Sequence, residues 1–373
     1  MRILFVINSF SYGGAEKLVF DLAQALNSKC ESISIAALYR MESDTEMRMQ
    51  SSLEQKGVKT YILGKKAGAD RVSAVRKLCK IVKADNIQLI HAHCSVPMYL
   101  SKLTGFVTRV KVVCTVHNTR GYRALLEKMT GWMVHGYVSI GQAAEEYMLD
   151  SLGIKKNKVT RIYNAVDTDK FQPGERSGGF WEQWGFDETV PVVLNVGRVV
   201  TQKNQLCLLR AVAQCCEKGS QIQCAILGGF DTSSETYKEL QAFIQSNALE
   251  NNIRFLGQQD DVPMFLQNSD CFVMTSWYEG LSVSYLEAVL CGTPIVITDM
   301  PFVRELEQFG TTAVIVPQDD AEALADVLMN CRYARPAEET IECYSEKFSM
   351  SKFAESHFAL YSDVLGIDVS KHR

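Results

Sequence analysis

Short apolar runs alternate with amphipathic stretches along this chain, and the alternation happens twice. The first series comprises ILFVI, SISIAAL, TYIL, QLIHAH, KVVCTVH and YVSI, with helical patterns between several of them. After SYGG, for instance, Ala15, Leu18, Val19, Leu22 and Leu26 recur at helical spacing. The second series is VPVVLNVG, QCAILGG, IRFLG, CFVMTS, PIVIT and AVIVP, with helices predicted over 205–218 and 321–330. Runs that are apolar at nearly every position suit strands covered on both faces, and their alternation with helices predicts parallel α/β sheets. The turn-rich QPGERSGG (172–179) separates the two series. The pattern thus predicts two doubly wound, Rossmann-like α/β domains facing each other across a cleft. Residues 1–171 form the first, 172–188 a linker and 189–349 the second.

Composition narrows the class. Hydrophobic residues are 47% and charged residues 22% of 373, a soluble globular balance. No apolar stretch approaches the roughly 18 residues of a membrane span. The start, MRILFVINSF, has one basic residue and five apolar ones before Asn8, so it reads as a first strand and not as a secretory core. Twelve cysteines occur, none at C-x-x-C spacing, which fits buried thiols of a reducing compartment. A cytoplasmic location is the expectation. Nothing in the charge pattern calls for a nucleic-acid partner.

Ligands of such sheets bind outside the carboxyl ends of the strands. There, YEGLSVSYLE (278–287) sets Glu279 and Glu287 eight positions apart. Two carboxylates also serve glycosidases, so spacing alone does not decide the chemistry. Glu279 falls in the loop after the strand CFVMTS, and Ser282 suits an N-cap for a helix from Val283 to about Cys291, stopped by Gly292. Glu287 then lies about 7.5 Å along the axis from Ser282. A helix mouth favours phosphate, and Gly280 lets the backbone come close. Carboxylates on both sides of a phosphate site suit a nucleotide sugar, with hydroxyls on both sides of its diphosphate. Arg198 and Lys203, in VGRVVTQKNQ, supply cations five residues apart on one loop.

Other candidates carry blander readings. Asp167 and Asp169 form a D-x-D at the domain junction, and His91 and His93 have metal-like spacing without a third ligand. The junction position disfavours a metal at the first, and a strand-end packing or polar role is the favoured account of the second, so no metal is expected. Gly13 and Gly14 form a glycine-rich strand-to-helix turn that lacks the G-x-G-x-x-G of a dinucleotide site. His117 closes the strand VVCTVH, where a structural role and a catalytic one are both open.

In order along the chain, GGAE, TVHN, RIYNAVDTDKF, VGRVVTQKN, FLGQQDDVPMFLQNSDCFV and EGLSVSYLEAVLCGTPIV resemble the family 4 glycosyltransferases of GT-B fold. The E-x7-E pair, Glu279 to Glu287, is that family's signature. The resemblance implies that Arg198 and Lys203 hold the donor diphosphate and Glu287 the ribose hydroxyls. It implies that Glu279, with the backbone of Gly280, Leu281 and Ser282, holds the transferred sugar, with Val283 also among the donor-binding residues. His117 would reach that sugar from the first domain, and Gly14 would leave room for phosphates and acceptor. Base contacts would come from the loops at Leu227–Phe230 and Phe255–Gly257. Family members transfer with retention and without a metal or other cofactor, and a UDP-sugar is the favoured donor. The C-terminal helix, within 350–373, would cross back to the first domain. The competing readings are a hydrolysing nucleotide-sugar epimerase and an inactive nucleotide-sugar-binding subunit.

The expected acceptor is a glycan or a polyprenyl-diphosphate-linked sugar of surface polysaccharide synthesis. Charge bears on this. Residues 1–170 carry 25 Lys and Arg against 15 Asp and Glu, while the whole chain has a net charge of −4. Within them, KKAGADRVSAVRKLCKIVK (65–83) reads as a helix with Val72, Val75, Leu78, Cys79 and Val82 toward the core and Arg76, Lys80 and Lys83 outward. Two readings of that face stand: peripheral docking on an anionic membrane at the inner face, or a solvated face that aids solubility.

Overall fold

The computed structural model describes all residues except 11–12, 41–43, 67, 118, 311, 331–333 and 369–373. It divides into two compact units, Met1–Ala165 with the segment that begins at Met350, and Val166–Ser349.

The first unit contains β1 (Arg2–Ile7), β2 (Ser32–Ala37), β3 (Lys59–Ile62), β4 (Leu89–His93), β5 (Lys111–Val116), β6 (Gly136–Ser139) and β7 (Val159–Arg161). They form one parallel sheet in the order β3-β2-β1-β4-β5-β6-β7. The order reverses between β1 and β4, which opens a crevice at their carboxyl ends. Alternate side chains go to opposite faces. Leu4, Val6 and Ile90 pack under the helices Arg71–Ala84 and Ser95–Thr108, through Leu78, Ile81 and Leu100. Phe5 and His91, of the other parity, are in ring contact, and Tyr361 of the C-terminal helix Met350–Leu365 meets His91. That helix packs against Gly14–Asn27.

The second unit contains β8 (Val192–Val196), β9 (Gln223–Leu227), β10 (Ile253–Gly257), β11 (Cys271–Met274), β12 (Ile295–Thr298) and β13 (Ala313–Val316). Their order, β10-β9-β8-β11-β12-β13, is again parallel, with the reversal between β8 and β11. Each unit is a doubly wound, Rossmann-like domain.

Two expectations need correction, and one strand was not foreseen. The stretch 172–188 is not a free linker. Phe180, Trp181 and Phe186 are buried, with Trp181 edge-on to Phe186 and Phe265, and Trp181 Nε1 donates to the Asn268 carbonyl at 2.9 Å. Aromatic burial outweighs the turn-rich composition, and the units part earlier, after Ala165. In the helix Arg71–Ala84 the buried residues are Ala74, Leu78, Ile81 and Val82, whereas Val72 is 66% exposed. The stripe runs from Ala74 at i, i+4, i+7 and i+8, so Val72 in the first turn falls off it and Cys79 only borders it. Strand β7 was not anticipated, since its Thr160 and Arg161 are exposed at the sheet edge. No helix among the described residues is long and apolar enough to cross a membrane.

Candidate active site

In the second unit, the loops after β8, β9 and β10 are laced together by their backbones. Gly197 N–H donates to the Leu227 carbonyl, Val199 N–H to Gly229, and Gly228 N–H to Gly257, at 2.8–3.0 Å. The approach is so close that a Cβ on Gly228, whose φ is +138°, would lie 2.2 Å from the Gly197 carbonyl oxygen. Only glycine fits.

Beyond this lacing, the turn Thr201–Lys203 is joined to the loop after β11. Gln202 donates to the Tyr278 carbonyl at 2.8 Å, Trp277 N–H to the Gln202 carbonyl at 2.9 Å, and Thr275 Oγ1 to the Asn204 carbonyl at 2.9 Å. Asn204 turns the chain with a φ of +47°, starting the helix Gln205–Glu217. The Lys203 side chain lies over Gly197, where a Cβ would meet its Cε at 3.0 Å. Its ammonium reaches Glu279 Oε1 at 2.7 Å, with both side chains more than four-fifths buried. Sequence reasoning put these two residues in separate roles; the fold joins them. Arg198 is exposed on the same loop, and its carbonyl accepts from Gln205 at 3.0 Å.

The helix after this loop is Val283–Leu290. Ser282 is its N-cap and accepts from Tyr285 N–H at 3.4 Å. Gly280, Leu281 and Ser282 are buried and Val283 is half-buried. Glu287 is buried on the second turn. A helix start leaves backbone N–H groups without intrahelical partners, which makes the mouth attractive to anions. The mouth, the Lys203–Glu279 pair, Arg198 and Glu287 thus gather beside the β8/β11 reversal.

In the first unit the histidines cluster. His91 is held at both nitrogens, by Tyr361 Oη at 2.6 Å and Thr115 Oγ1 at 2.7 Å. His357 donates Nδ1–H to the Phe353 carbonyl at 2.9 Å. His93 Nδ1 and His117 Nε2 lie 2.9 Å apart, and His93 Nε2 is buried without a partner among the described residues. If His117 donated, His93 would carry an orphaned N–H; if His93 donates, only a lone pair is orphaned. Buried orphan donors are the rarer and costlier case. The pattern therefore assigns the shared proton to His93 and leaves His117 protonated at Nδ1. Burial, and then the nearby His357 charge, pull the His117 pKa down to about 4, so it is neutral at pH 7. Burial also holds His357 at about 4 and drives His91 and His93 well below the ordinary range.

Cys94, directly after His93, starts the next helix with a φ of +71°, which costs a residue with a Cβ about 1–3 kcal/mol. Gly14 begins the helix Gly14–Asn27, and a Cβ there would meet open space. Ser11 and Tyr12 of the glycine-rich turn, and Asn118 after His117, lie outside the described residues. Asp167 Oδ1 accepts from the backbone N–H of Asp169 and Lys170, both at 3.2 Å, a local turn. Sequence reasoning missed Gln202, the close backbone approach at Gly228 and the pairing of His93 with His117; the GG and QKN turns were the available signals.

Two family models match the chain in tandem: Glycosyltransferase Family 4 over residues 12–170 and Glycosyl transferases group 1 over 180–331. An uncharacterized glycosyltransferase of Methanocaldococcus jannaschii is 32% identical over 39% of this chain and 34% of its own. The N,N'-diacetylbacillosaminyl-diphospho-undecaprenol alpha-1,3-N-acetylgalactosaminyltransferase of Campylobacter jejuni is 30% identical over 47% of this chain and 45% of its own. The chain thus matches less than half the length of either relative. Anabaena HepE, solved with UDP and glucose, superposes with a TM-score of 0.82 at 21% identity, over 97% of this chain and all of that one. That likeness speaks for the GT-B fold.

Proposed function

This chain belongs to the group 1 and family 4 glycosyltransferases, and from that premise we propose that it moves a sugar, with retention, from a UDP-sugar to a glycan or polyprenyl-diphosphate-linked acceptor. The observation that carries the reading is the Lys203–Glu279 pair, 2.7 Å apart beside a helix mouth. Before the donor arrives, Glu279 holds the ammonium in position. The diphosphate then gives Lys203 a second anion, and Glu279 gains freedom to accept a sugar hydroxyl. Arg198 completes the clamp, and Glu287 takes the ribose hydroxyls. The backbone at Gly280, Leu281, Ser282 and Val283 lines the sugar.

In the first unit, neutral His117 offers Nδ1–H to the sugar and Gly14 leaves room for phosphates and acceptor. In the reaction the bond from the anomeric carbon to the phosphate oxygen breaks. A bond to the acceptor oxygen forms on the same face, and the departing phosphate oxygen takes the acceptor's proton. Preorganised cations stabilise the charge that develops on the leaving group. Because side chains supply that counter-charge, turnover is expected to survive an excess of chelator.

Support for a lipid-linked acceptor comes from the diphospho-undecaprenol substrate in the Campylobacter enzyme's name. The work would then take place at the cytoplasmic face of a membrane. A thermal-shift screen of UDP, GDP and ADP sugars, followed by product detection and anomeric assignment with the best binder, tests the proposal. Stabilisation without transfer to any acceptor would leave a binding subunit; release of free sugar alone would point to hydrolysis.

A further inference from the structure

Five large apolar side chains of the first unit stand in solvent on neighbouring elements. Phe106 and Val107 end the helix Ser95–Thr108, Leu125 and Met129 lie one turn apart on Ala124–Thr130, and Trp132 follows. They are between 58% and 73% exposed. The elements form one surface. The Phe106 and Trp132 rings meet edge-on with centroids 5.6 Å apart, and a buried ion pair, Lys102 to Glu127, ties the two helices together beneath. Single exposed apolar residues are ordinary, but a contiguous cluster marks an interaction site.

The charges around the cluster identify the partner. Between residues 95 and 133 the only acidic residue is Glu127, and it is spent on Lys102. Every other charge there is a cation: Arg109, Lys111, Arg120, Arg123 and Lys128. Four of them are exposed and Lys111 is half-buried. The helix Arg71–Ala84 packs beside Ser95–Thr108 on the same sheet face and adds exposed Arg76, Lys80 and Lys83. Aromatic and aliphatic side chains on elements that also carry exposed cations match an anionic lipid surface, with rings at the headgroup level and charges on the phosphates. A second copy fits poorly, since a two-fold contact would bring the same cations against each other.

The geometry points to this cluster, and not the helix at 71–84 alone, as the surface by which the protein docks on an anionic bilayer. The inference extends the proposed lipid-linked acceptor, because the loop from His117 leads in six residues to Arg123 at the edge of the surface. Docking would hold that loop near the headgroups, where a polyprenyl diphosphate resides.

Vesicle sedimentation with the full chain tests the surface without donor or acceptor present. Phosphatidylglycerol-containing vesicles at low salt should pull the protein down, and pure phosphatidylcholine should not. Phe106→Asp/Trp132→Asp should abolish pelleting. Each of Arg109→Glu and Lys128→Glu should weaken it about fivefold or more, one cation being worth roughly that factor. Lys80→Glu/Lys83→Glu should weaken it less than the apolar pair. Unchanged thermal midpoints and unchanged transfer to a soluble acceptor analogue would show that the variants fold and work. Pelleting that is indifferent to the apolar variants overturns the proposal. So does a dimer that the Trp132 variant dissolves. Failure of transfer with intact pelleting would instead count against the proposed reaction and leave the docking surface standing.

Discussion

At the scale of single residues, the site is defined by partners far apart in the chain. Arg198→Ala and Lys203→Ala should each cut turnover by about one to two factors of ten, since a charge-assisted bond to phosphate is worth about 1.5–3 kcal/mol. Near-wild-type kinetics in both would sink the clamp. Because Lys203 and Glu279 bond each other, their substitutions should not add. A double-mutant cycle of Lys203→Ala and Glu279→Gln is expected to show about 0.5–3 kcal/mol of coupling. Glu287→Gln should chiefly weaken UDP binding in calorimetry, whereas Glu279→Gln should act more on turnover. His117→Ala should abolish transfer while UDP binds as before. His93→Ala should lower turnover about three- to tenfold, the worth of one hydrogen bond. His93→Asn, whose amide nitrogen can replace the Nδ1 donor, should restore it. Equal loss in the Ala and Asn variants would make His93 a packing residue.

Elements differ in how far they can be read from their own residues. The strand runs were legible because a strand buried on both faces is apolar at nearly every position, and the N-cap at Ser282 because its signal is local. The exposed edge strand β7 carries no such pattern. The joined loops were not legible either: Lys203 and Glu279 are 76 positions apart and His91 and Tyr361 are 270 apart, and periodicity says nothing about such meetings. Gly228 shows what the joining requires. Gly228→Ala would drive a Cβ into backbone, and urea unfolding should reveal a loss above about 3 kcal/mol together with weaker UDP binding. The C-terminal helix invites a pH experiment. His117 and His357 are held at about 4, against about 6.5 when unfolded. As pH falls through that window the unfolded chain takes up protons that the folded one refuses, so stability drops. Above about pH 6.5 the contribution is complete. The slope is up to about 1.4 kcal/mol per pH unit for each histidine. Unfolding curves between pH 7.5 and pH 5 should show it, and His357→Gln should flatten it; a pH-independent wild type would contradict the burial.

For the whole molecule, the proposed site lies on the second of the two units, so that unit alone should respond to the nucleotide. Hydrogen exchange with UDP should gain protection in the loops at 197–204, 228–230 and 275–284, and little in the first unit; uniform protection would mean the nucleotide is held elsewhere. The units also differ electrically. The first, with the C-terminal segment, carries 27 Lys and Arg against 16 Asp and Glu, and the second 12 against 27. An anionic surface therefore pulls on one half and pushes on the other, a torque that turns the molecule before any side chain touches lipid. That torque reaches only about 8 Å at physiological ionic strength. A near-neutral chain with this split would have little net attraction to draw it in from a distance; at the proposed docking surface a membrane would select which way it faces on arrival.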